Sequence, residues 1–110
     1  MSPLKPALLQ GTLDMLILKA LAMEPMHGWG IGERLEAMSG DVFRVPQGSL
    51  YPAFIRLQKY GWIRSTWRTT ENNRRARYYV LTPSGQRQLE AEREQWREAA
   101  TAVDRILGFA

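Results

Sequence analysis

Residues 46–61 carry the sequence Pro-Gln-Gly-Ser-Leu-Tyr-Pro-Ala-Phe-Ile-Arg-Leu-Gln-Lys-Tyr-Gly. Leu50, Phe54 and Leu57 recur at spacings of four and three residues, so they line one side of a helix. The opposite side is predicted to be exposed and carries Ser49, Pro52, Arg56 and Lys59, with Tyr51 and Ile55 on its flank. It therefore presents hydroxyl groups, a phenol and two cations. That outward chemistry suits a DNA groove, although a solvated amphipathic helix would show the same pattern.

Both ends of this helix carry sequence signals. Ser49 is predicted to be the N-cap, because its side-chain oxygen can accept a hydrogen bond from the first turn. Pro52 fits the first turn, where the amide hydrogens lack helical partners. Gly61 is predicted to end the helix, as a glycine that can adopt a positive φ often does.

The positive charge of the chain lies in its middle third. The 110 residues have a formal net charge of +4, but eight cations and a single acid fall between residues 44 and 79. Residues 1–43 and residues 83–110 each hold more acids than cations. This distribution points to a polyanion bound by one face, because phosphate neutralisation supplies most non-specific nucleic-acid affinity.

The composition excludes several classes of protein. The length and the hydrophobic content of 45% predict one globular domain with a modest core. The sequence has no membrane-length apolar run and no signal-peptide pattern, so we expect a cytoplasmic, nucleoid-associated protein. Cysteine is missing and His27 is the single histidine. We therefore expect no metal, no cofactor and no enzymatic activity.

Two more helices are predicted before residue 46. Thr12 is suited to cap the first, which should end near Pro25 because the residue before proline disfavours the α region. His27 opens the second, which should stop at Ser39-Gly40. Its predicted buried residues are Ile31, Leu35 and Met38. Residues 1–8, which contain two prolines, are predicted to form a flexible arm.

Three glycines lie close together at the start of the second helix, at Gly28, Gly30 and Gly32. No strand precedes them and no Gly-Lys-Ser/Thr follows, so the pattern does not predict a nucleotide site. Close packing of this helix on a neighbour is the favoured interpretation. For His27 we favour a capping role over a contact with a DNA phosphate.

After the helix at residues 49–60 the sequence period changes to two. Residues 63–68 and 76–81 alternate as two strands, joined by a polar turn over residues 70–74. Arginines lie at the tip and on the return strand, at Arg74, Arg75 and Arg77. Such a hairpin directly after an amphipathic helix is the layout of a winged helix-turn-helix, whose wing reaches phosphates or the minor groove. Trp62 and Trp67 are interpreted as packing at the base of the wing.

A long helix is predicted at the C-terminal end. Thr82 at the N-cap and Pro83 at the first helical position are a strong start signal. The apolar seam of a heptad pattern follows, at Leu89, Trp96, Ala100, Val103 and Leu107, interrupted by Arg93. A helix of about 24 residues is about 36 Å long, more than this small domain can cover. We expect the seam to form a homodimer interface; folding back onto the chain's own domain is the alternative.

The predicted fold is therefore mainly α with a small β-hairpin (α+β). It is a winged helix-turn-helix followed by a long C-terminal dimerisation helix. We place the DNA-binding domain at residues 1–82 and the dimerisation helix at residues 83–110.

With these segments in view, the chain resembles the PadR family of transcriptional regulators over residues 9–107. The resemblance rests on Gly-Thr-Leu-Asp-Met-Leu-Ile-Leu at 11–18, His-Gly-Trp-Gly-Ile at 27–31, Gly-Ser-Leu-Tyr-Pro-Ala at 48–53 and Arg-Arg-Ala-Arg-Tyr-Tyr-Val-Leu-Thr at 74–82. Trp29 stands where the family more often has tyrosine. The single C-terminal helix is similar to the short branch of the family, whose members are homodimeric repressors. Some members of that branch bind flat aromatic or drug-like compounds between the dimer's halves.

The resemblance and the residues together predict a homodimeric, ligand-responsive repressor that binds a pseudo-palindromic operator in duplex DNA. The candidate DNA contacts are Gln47, Ser49, Tyr51, Pro52, Arg56, Lys59, Arg74, Arg75 and Arg77. Arg56 is the first candidate for guanine, which arginine contacts through two hydrogen bonds. Trp96 is the candidate contact for a planar aromatic effector, or else part of the interface core. A protein-interaction module and an RNA-binding winged helix remain open.

Overall fold

The computed structural model describes residues 12–109. The arm predicted at residues 1–8 lies outside that range. Within it the elements are α1 (Leu13–Met23), β1 (Met26–His27), α2 (Gly28–Met38), α3 (Gln47–Lys59), β2 (Ile63–Thr69), β3 (Arg75–Leu81) and α4 (Pro83–Leu107). The helix ends predicted near Pro25 and at Ser39 are confirmed.

The sheet is antiparallel, with strand order β1-β3-β2. Strands β2 and β3 form the predicted hairpin, in register from Ile63 opposite Leu81 to Thr69 opposite Arg75. Strand β1 pairs with the other edge of β3, with His27 opposite Tyr78. The predicted α+β class is therefore confirmed, with a third, two-residue strand that the sequence pattern did not predict.

The core forms where α1, α2 and α3 meet the base of this sheet. Leu50, Phe54 and Leu57 are at most 1% exposed, which confirms the predicted buried side of α3. Phe54 also stacks on Tyr79 of β3, with their ring centroids 4.3 Å apart. Helix α3 is thus fixed against both the helical layer and the sheet, so its opposite side is held in one orientation.

Two glycines of α2 allow this close packing, as expected. A Cβ atom on Gly32 would lie 3.1 Å from the Leu50 side chain, and one on Gly28 would lie 3.3 Å from Phe54. The Nδ1 atom of His27 accepts a hydrogen bond from the Gly30 N–H at 3.0 Å, so the capping role is present. Burial of Met38 was wrongly predicted. Its side chain is 50% exposed, because Met38 is the last residue of α2.

The N-cap of helix α3 lies three residues before the predicted one at Ser49. Pro46, in the extended region with ψ 144°, is its N-cap, and its carbonyl oxygen accepts from the Ser49 N–H at 3.0 Å. Ser49 is therefore already in the first turn, and the prediction that it caps the helix is wrong. At the other end, Gly61 follows the helix with φ 76°, as predicted.

Helix α4 is attached to the base of the wing. The Thr82 hydroxyl oxygen accepts from the Gly85 N–H at 3.0 Å and donates to the Gly61 carbonyl oxygen at 2.6 Å. The predicted N-cap is thus confirmed. Gly85 lies directly against the Trp62 carbonyl oxygen, which leaves no space for a Cβ atom. The direction of α4 is therefore set where it meets the hairpin.

Beyond its first turns α4 leaves the domain. Leu89 is 1% exposed and packs in the chain's own core, so its assignment to the dimer interface is corrected. Farther along, Trp96, Val103 and Leu107 are 48%, 50% and 60% exposed. The radius of gyration is 15.1 Å, compared with about 13 Å for a compact chain of this length. None of the helices within residues 12–109 is long and apolar enough to cross a membrane.

Candidate nucleic-acid interface

The outward side of α3 is defined by the residues opposite its core contacts. Successive side chains rotate by about 100° around a helix. The centre of the outward side is therefore a strip formed by Gly48, Pro52, Ile55 and Lys59, and all four are exposed. We call these residues the α3 strip. Ile55, predicted on the flank, is 66% exposed and belongs to this strip.

Arg56 lies on the flank of α3 that adjoins α1. Its Nε and Nη2 atoms donate to the two carboxylate oxygens of Asp14, at 3.1 Å and 2.6 Å. The hydrogen bond to Asp14 raises the pKa of Arg56 above its ordinary value, and the guanidinium is charged and held. Arg56 thus lies beside the centre of the outward side rather than on it, and its contact with guanine stays a prediction.

The other predicted contacts of α3 lie together on one exposed surface. Gln47, Ser49 and Tyr51 flank the α3 strip near the start of the helix. The Tyr51 ring is 55% exposed and meets the Phe54 ring edge-on, with centroids 6.0 Å apart. The exposed Tyr51 ring is therefore in contact with a side chain of the core.

The tip of the wing is closed by hydrogen bonds across residues 70–74. The Thr70 N–H donates to the Arg74 carbonyl oxygen at 2.6 Å, and the Asn73 N–H donates to the Thr70 carbonyl oxygen at 2.9 Å. Asn73 has a φ of 60°, a conformation that asparagine tolerates. The three arginines predicted to contact phosphates lie next to this closed turn, and all are exposed: Arg74, Arg75 and Arg77.

Trp67 is not packed at the base of the wing, and that prediction is wrong. Its side chain is 56% exposed because Trp67 lies four residues beyond the buried Ile63, where the hairpin has extended past the core. The guanidinium carbons of Arg75 and Arg77 lie 5.5 Å and 5.1 Å from its ring centroid. The register, with Trp67 opposite Arg77, could have indicated this cluster from the sequence.

Trp62 differs from Trp67, because it packs against the core as expected. It is half-buried, and its ring lies 4.7 Å from that of Tyr60. The interpretation as wing-base packing therefore holds for one tryptophan of the pair.

The cations of the middle third are almost all without acidic partners. Of the eight between residues 44 and 79, Arg56 alone forms an ion pair with another residue in the range 12–109. The remaining seven include Lys59 on the α3 strip and the arginines of the wing. Their charge is not neutralised by an acid of the described residues, which is the condition that phosphate binding would need.

A groove separates α1 from α4 on another side of the molecule. It has a volume of about 460 Å³ and is lined by Met15, Leu16, Lys19, Leu89, Arg93, Trp96, Arg97, Ala100, Thr101 and Asp104. Two of the predicted interface residues, Trp96 and Ala100, thus line this groove. Val103 and Leu107 are not among its lining residues.

Glu92 of α4 lies near the Asp14–Arg56 pair. Burial and the charge of Asp14 raise the pKa of Glu92, and a hydrogen bond with Gln88 opposes the rise. Its Oε2 atom is buried and has no hydrogen-bond partner within residues 12–109. In the same range no group of three or more histidine and carboxylate side chains could hold a metal ion.

Comparison of the sequence with known proteins gives a family match. Residues 17–91 match the transcriptional regulator PadR-like family. An uncharacterized 37.1 kDa protein in a transposon of Streptomyces fradiae is 41% identical over 79 residues, 72% of this chain and 21% of that protein. A protein of Lysinibacillus sphaericus is 24% identical over 97 residues, 88% of this chain and 89% of that protein. The chain thus spans about one fifth of the Streptomyces relative.

Solved structures share the fold. A transcriptional regulator from Clostridium thermocellum superposes with a TM-score of 0.83 at 25% identity, covering 93% of this chain and 96% of that one. A PadR-like transcriptional regulator from Bacillus cereus has a TM-score of 0.80 at 29% identity, covering 92% and 96%. A PadR-family regulator from Eggerthella lenta has a TM-score of 0.78 at 29% identity, covering 94% and 88%. The predicted winged-helix fold is confirmed.

Proposed function

The chain belongs to the PadR-like family of transcriptional regulators, and from that premise we propose that it is a homodimeric, ligand-responsive repressor that binds a pseudo-palindromic operator. Members of this family are regulators that act on DNA and not enzymes. The observation that carries the proposal is the set of seven cations between residues 44 and 79 that have no acidic partner within the described range. They surround α3 and the wing, the two elements with which this fold contacts a duplex.

In this proposal the contacts divide between base edges and phosphates. The α3 strip, with Gln47, Ser49 and Tyr51 beside it, would enter the major groove. Lys59 and the wing cations at Arg74, Arg75 and Arg77 would meet phosphates, which position the protein without recognising sequence. Arg56 would act chiefly by fixing α3 to α1, since its guanidinium is already bound by Asp14.

Dimerisation through α4 is proposed because its exposed apolar side chains need a partner. Trp96 and Val103 are each about half exposed, and Ile106 and Leu107 are 83% and 60% exposed. A second copy of α4, related by a twofold axis, would bury these apolar side chains against the same residues of its partner. Twofold symmetry would also place two α3 helices about 34 Å apart, one turn of duplex DNA.

The effector is proposed to be a planar aromatic molecule bound at Trp96. Support comes from the groove between α1 and α4, where Trp96 lies beside Met15 and Leu16. A ligand that binds one dimer geometry better than another shifts the spacing of the α3 helices, and so releases the operator. In the competing interpretation Trp96 is part of the interface core and binds no effector. Flat aromatic dyes titrated into the wild type and into Trp96→Ala would then bind both proteins with the same affinity.

The function is tested by selecting DNA from a random duplex pool with the purified protein. The proposal expects enrichment of an inverted repeat, nanomolar to micromolar binding, and a dimer by light scattering. Duplex RNA competing as well as DNA would instead favour the RNA-binding alternative. A monomer that enriches no sequence at low salt would contradict the proposal.

A further inference from the structure

The α3 strip has little polar chemistry for a surface that meets base edges. Gly48 has no side chain, Pro52 has no N–H, and Ile55 is aliphatic. Lys59 is the one member of the strip whose side chain can donate a hydrogen bond. The polar groups Gln47, Ser49 and Tyr51 lie on its flanks rather than at its centre.

Ile55 occupies the middle of this strip. Its 66% exposed side chain contrasts with the 1% exposure of Phe54, the residue next to it. A single exposed apolar side chain needs no explanation on a protein surface. Here, however, Ile55 follows Pro52 by three residues and the flanking Tyr51 by four. The aliphatic side chain, the pyrrolidine and the carbon atoms of the phenol ring therefore form one contiguous apolar patch on a helix face.

The charges around this patch favour DNA over a protein partner. Lys59 lies one turn after Ile55, and the wing arginines follow on the neighbouring hairpin, none of them paired with an acid in the described range. The centres of protein–protein interfaces are depleted in charged residues, and a patch of this size is small for one. A polyanion with an apolar group on its surface fits both observations.

Gly48 indicates how closely that ligand comes. A Cβ atom at this position would meet nothing within 4 Å, so the interior of the protein does not require a glycine here. Alanine would stabilise the helix instead, since glycine is unfavourable in helices. The missing side chain is therefore explained by something outside the chain that approaches the backbone at Gly48.

We propose that Ile55 contacts the 5-methyl group of a thymine in the major groove, an inference that rests on the proposed operator-binding function. The thymine methyl is the apolar group that the base pairs present in that groove. Sequence preference would then come from an apolar contact at the centre of α3, with Gly48 at the closest approach to the duplex. Hydrogen bonds from the flanking polar side chains would add to this preference.

The test replaces each thymine of the selected operator, one at a time, by deoxyuridine. This change removes the methyl group and keeps Watson–Crick pairing. Wild type is expected to lose about three- to fivefold in affinity at one thymine per half-site, the effect of one buried methyl group. Ile55→Ala should bind the thymine operator correspondingly more weakly and show no difference between thymine and deoxyuridine at that position.

Lys59→Ala is the matched control. It should bind more weakly overall and keep the wild-type preference for thymine. If no position distinguishes the two bases, or if the distinction survives in Ile55→Ala, this inference is overturned although the proposed function stands. If wild type binds no duplex at all, the proposed function fails as well.

A second variant tests the close approach independently. Gly48→Ala should keep or raise the melting temperature and yet bind the operator several-fold more weakly, because the added methyl group meets the duplex. A Gly48→Ala protein with wild-type affinity would remove this part of the inference.

Discussion

Single residues of α3 have different tasks that depend on their position around the helix. Leu50 and Phe54 fix its depth in the core, and the α3 strip on the other side is exposed. Arg56, on the flank, joins α3 to α1 through both oxygens of Asp14. A side chain held in this way can position a DNA-contacting helix without touching DNA.

This assignment predicts that Arg56→Ala and Asp14→Asn behave alike. Each should lower the free energy of unfolding by about 0.5–1 kcal/mol, as expected for a partly exposed ion pair. The double variant should lose little more than either single change, since one interaction is removed in all three. Urea unfolding of the three variants measures this coupling.

The same variants separate positioning from base recognition. We expect both single variants to select the wild-type operator from a random pool. If Arg56 instead contacted guanine, Arg56→Ala would lose about 1–3 kcal/mol of binding with relaxed specificity, whereas Asp14→Asn would free the guanidinium and bind at least as well as wild type.

Elements built on local patterns were predictable, and long-range contacts were not. The apolar spacing of α3 and the Thr82-Pro83 start of α4 act within a few residues, so the sequence alone indicates them. The Arg56–Asp14 pair joins positions 42 residues apart. Strand β1 has two residues and depends on pairing with β3, far along the chain. Such contacts depend on the packing of whole elements, which periodicity does not describe.

Exposure was mispredicted where an element extends beyond the core. The alternation of β2 correctly put Ile63 and Trp67 on the same face, but only Ile63 lies over the core. Leu89 shows the opposite case. A heptad pattern does not reveal that the first turns of α4 still pack on the domain, so an intramolecular core residue was assigned to the interface.

At the wing, Trp67 is predicted to strengthen DNA binding by ordering two arginines. A cation–π contact at an exposed site contributes about 0.5–1 kcal/mol. Trp67→Ala should therefore weaken DNA binding about two- to fivefold, with little change in the slope of log affinity against log salt. Arg77→Ala should make that slope shallower by about one, because a phosphate contact is lost.

Fluorescence anisotropy of labelled operator over a salt series measures both effects. Trp67→Phe, which keeps an aromatic face, is the matched control and should recover part of the affinity. An unchanged affinity for Trp67→Ala would contradict an ordering role.

Between α1 and α4, Glu92 is predicted to make stability depend on pH. Its pKa in the folded protein is raised above the ordinary value of 4.5, chiefly by burial and then by the charge of Asp14. The folded state therefore binds the proton more tightly than the unfolded state does. The contribution of Glu92 to the free energy of unfolding is therefore largest below pH 4.5. It should decrease as the pH rises through the raised pKa of Glu92 and should remain low at higher pH.

Glu92→Gln should remove this contribution. The variant should be more stable than wild type at neutral pH, and the difference should vanish below the ordinary pKa of 4.5, where Glu92 is protonated in both states. Urea unfolding at a series of pH values measures it. Glu94→Gln, which removes an exposed carboxylate from the same helix and leaves Glu92 in place, is the matched control.

At the scale of the whole molecule, α4 extends away from the domain that its first turns help to build. The molecule measures 51 × 33 × 21 Å, and the apolar side chains of the distal half of α4 face solvent in the single chain. The two ends of the molecule are linked through α1, which contacts α3 by Asp14 and forms the groove with α4. In the proposed dimer, α1 is therefore the element through which a change at α4 would reach α3.

The proposed dimer predicts that a charge on the seam of α4 separates the subunits. Val103→Asp places a carboxylate on the apolar seam, whereas Ala102→Asp places one on the same turn but about 100° around the helix, away from the seam. Val103→Asp should be a monomer by light scattering at micromolar concentration and should lose about 100-fold or more in affinity for the palindromic operator, because the second half-site no longer binds intramolecularly. Its affinity for an isolated half-site should stay close to wild type, since Val103 is remote from α3 and the wing.

Ala102→Asp should remain a dimer with wild-type operator affinity. A dimeric Val103→Asp protein would show that α4 does not join the subunits, and equal dissociation of both variants would show that the effect is one of charge on α4 and not of the seam.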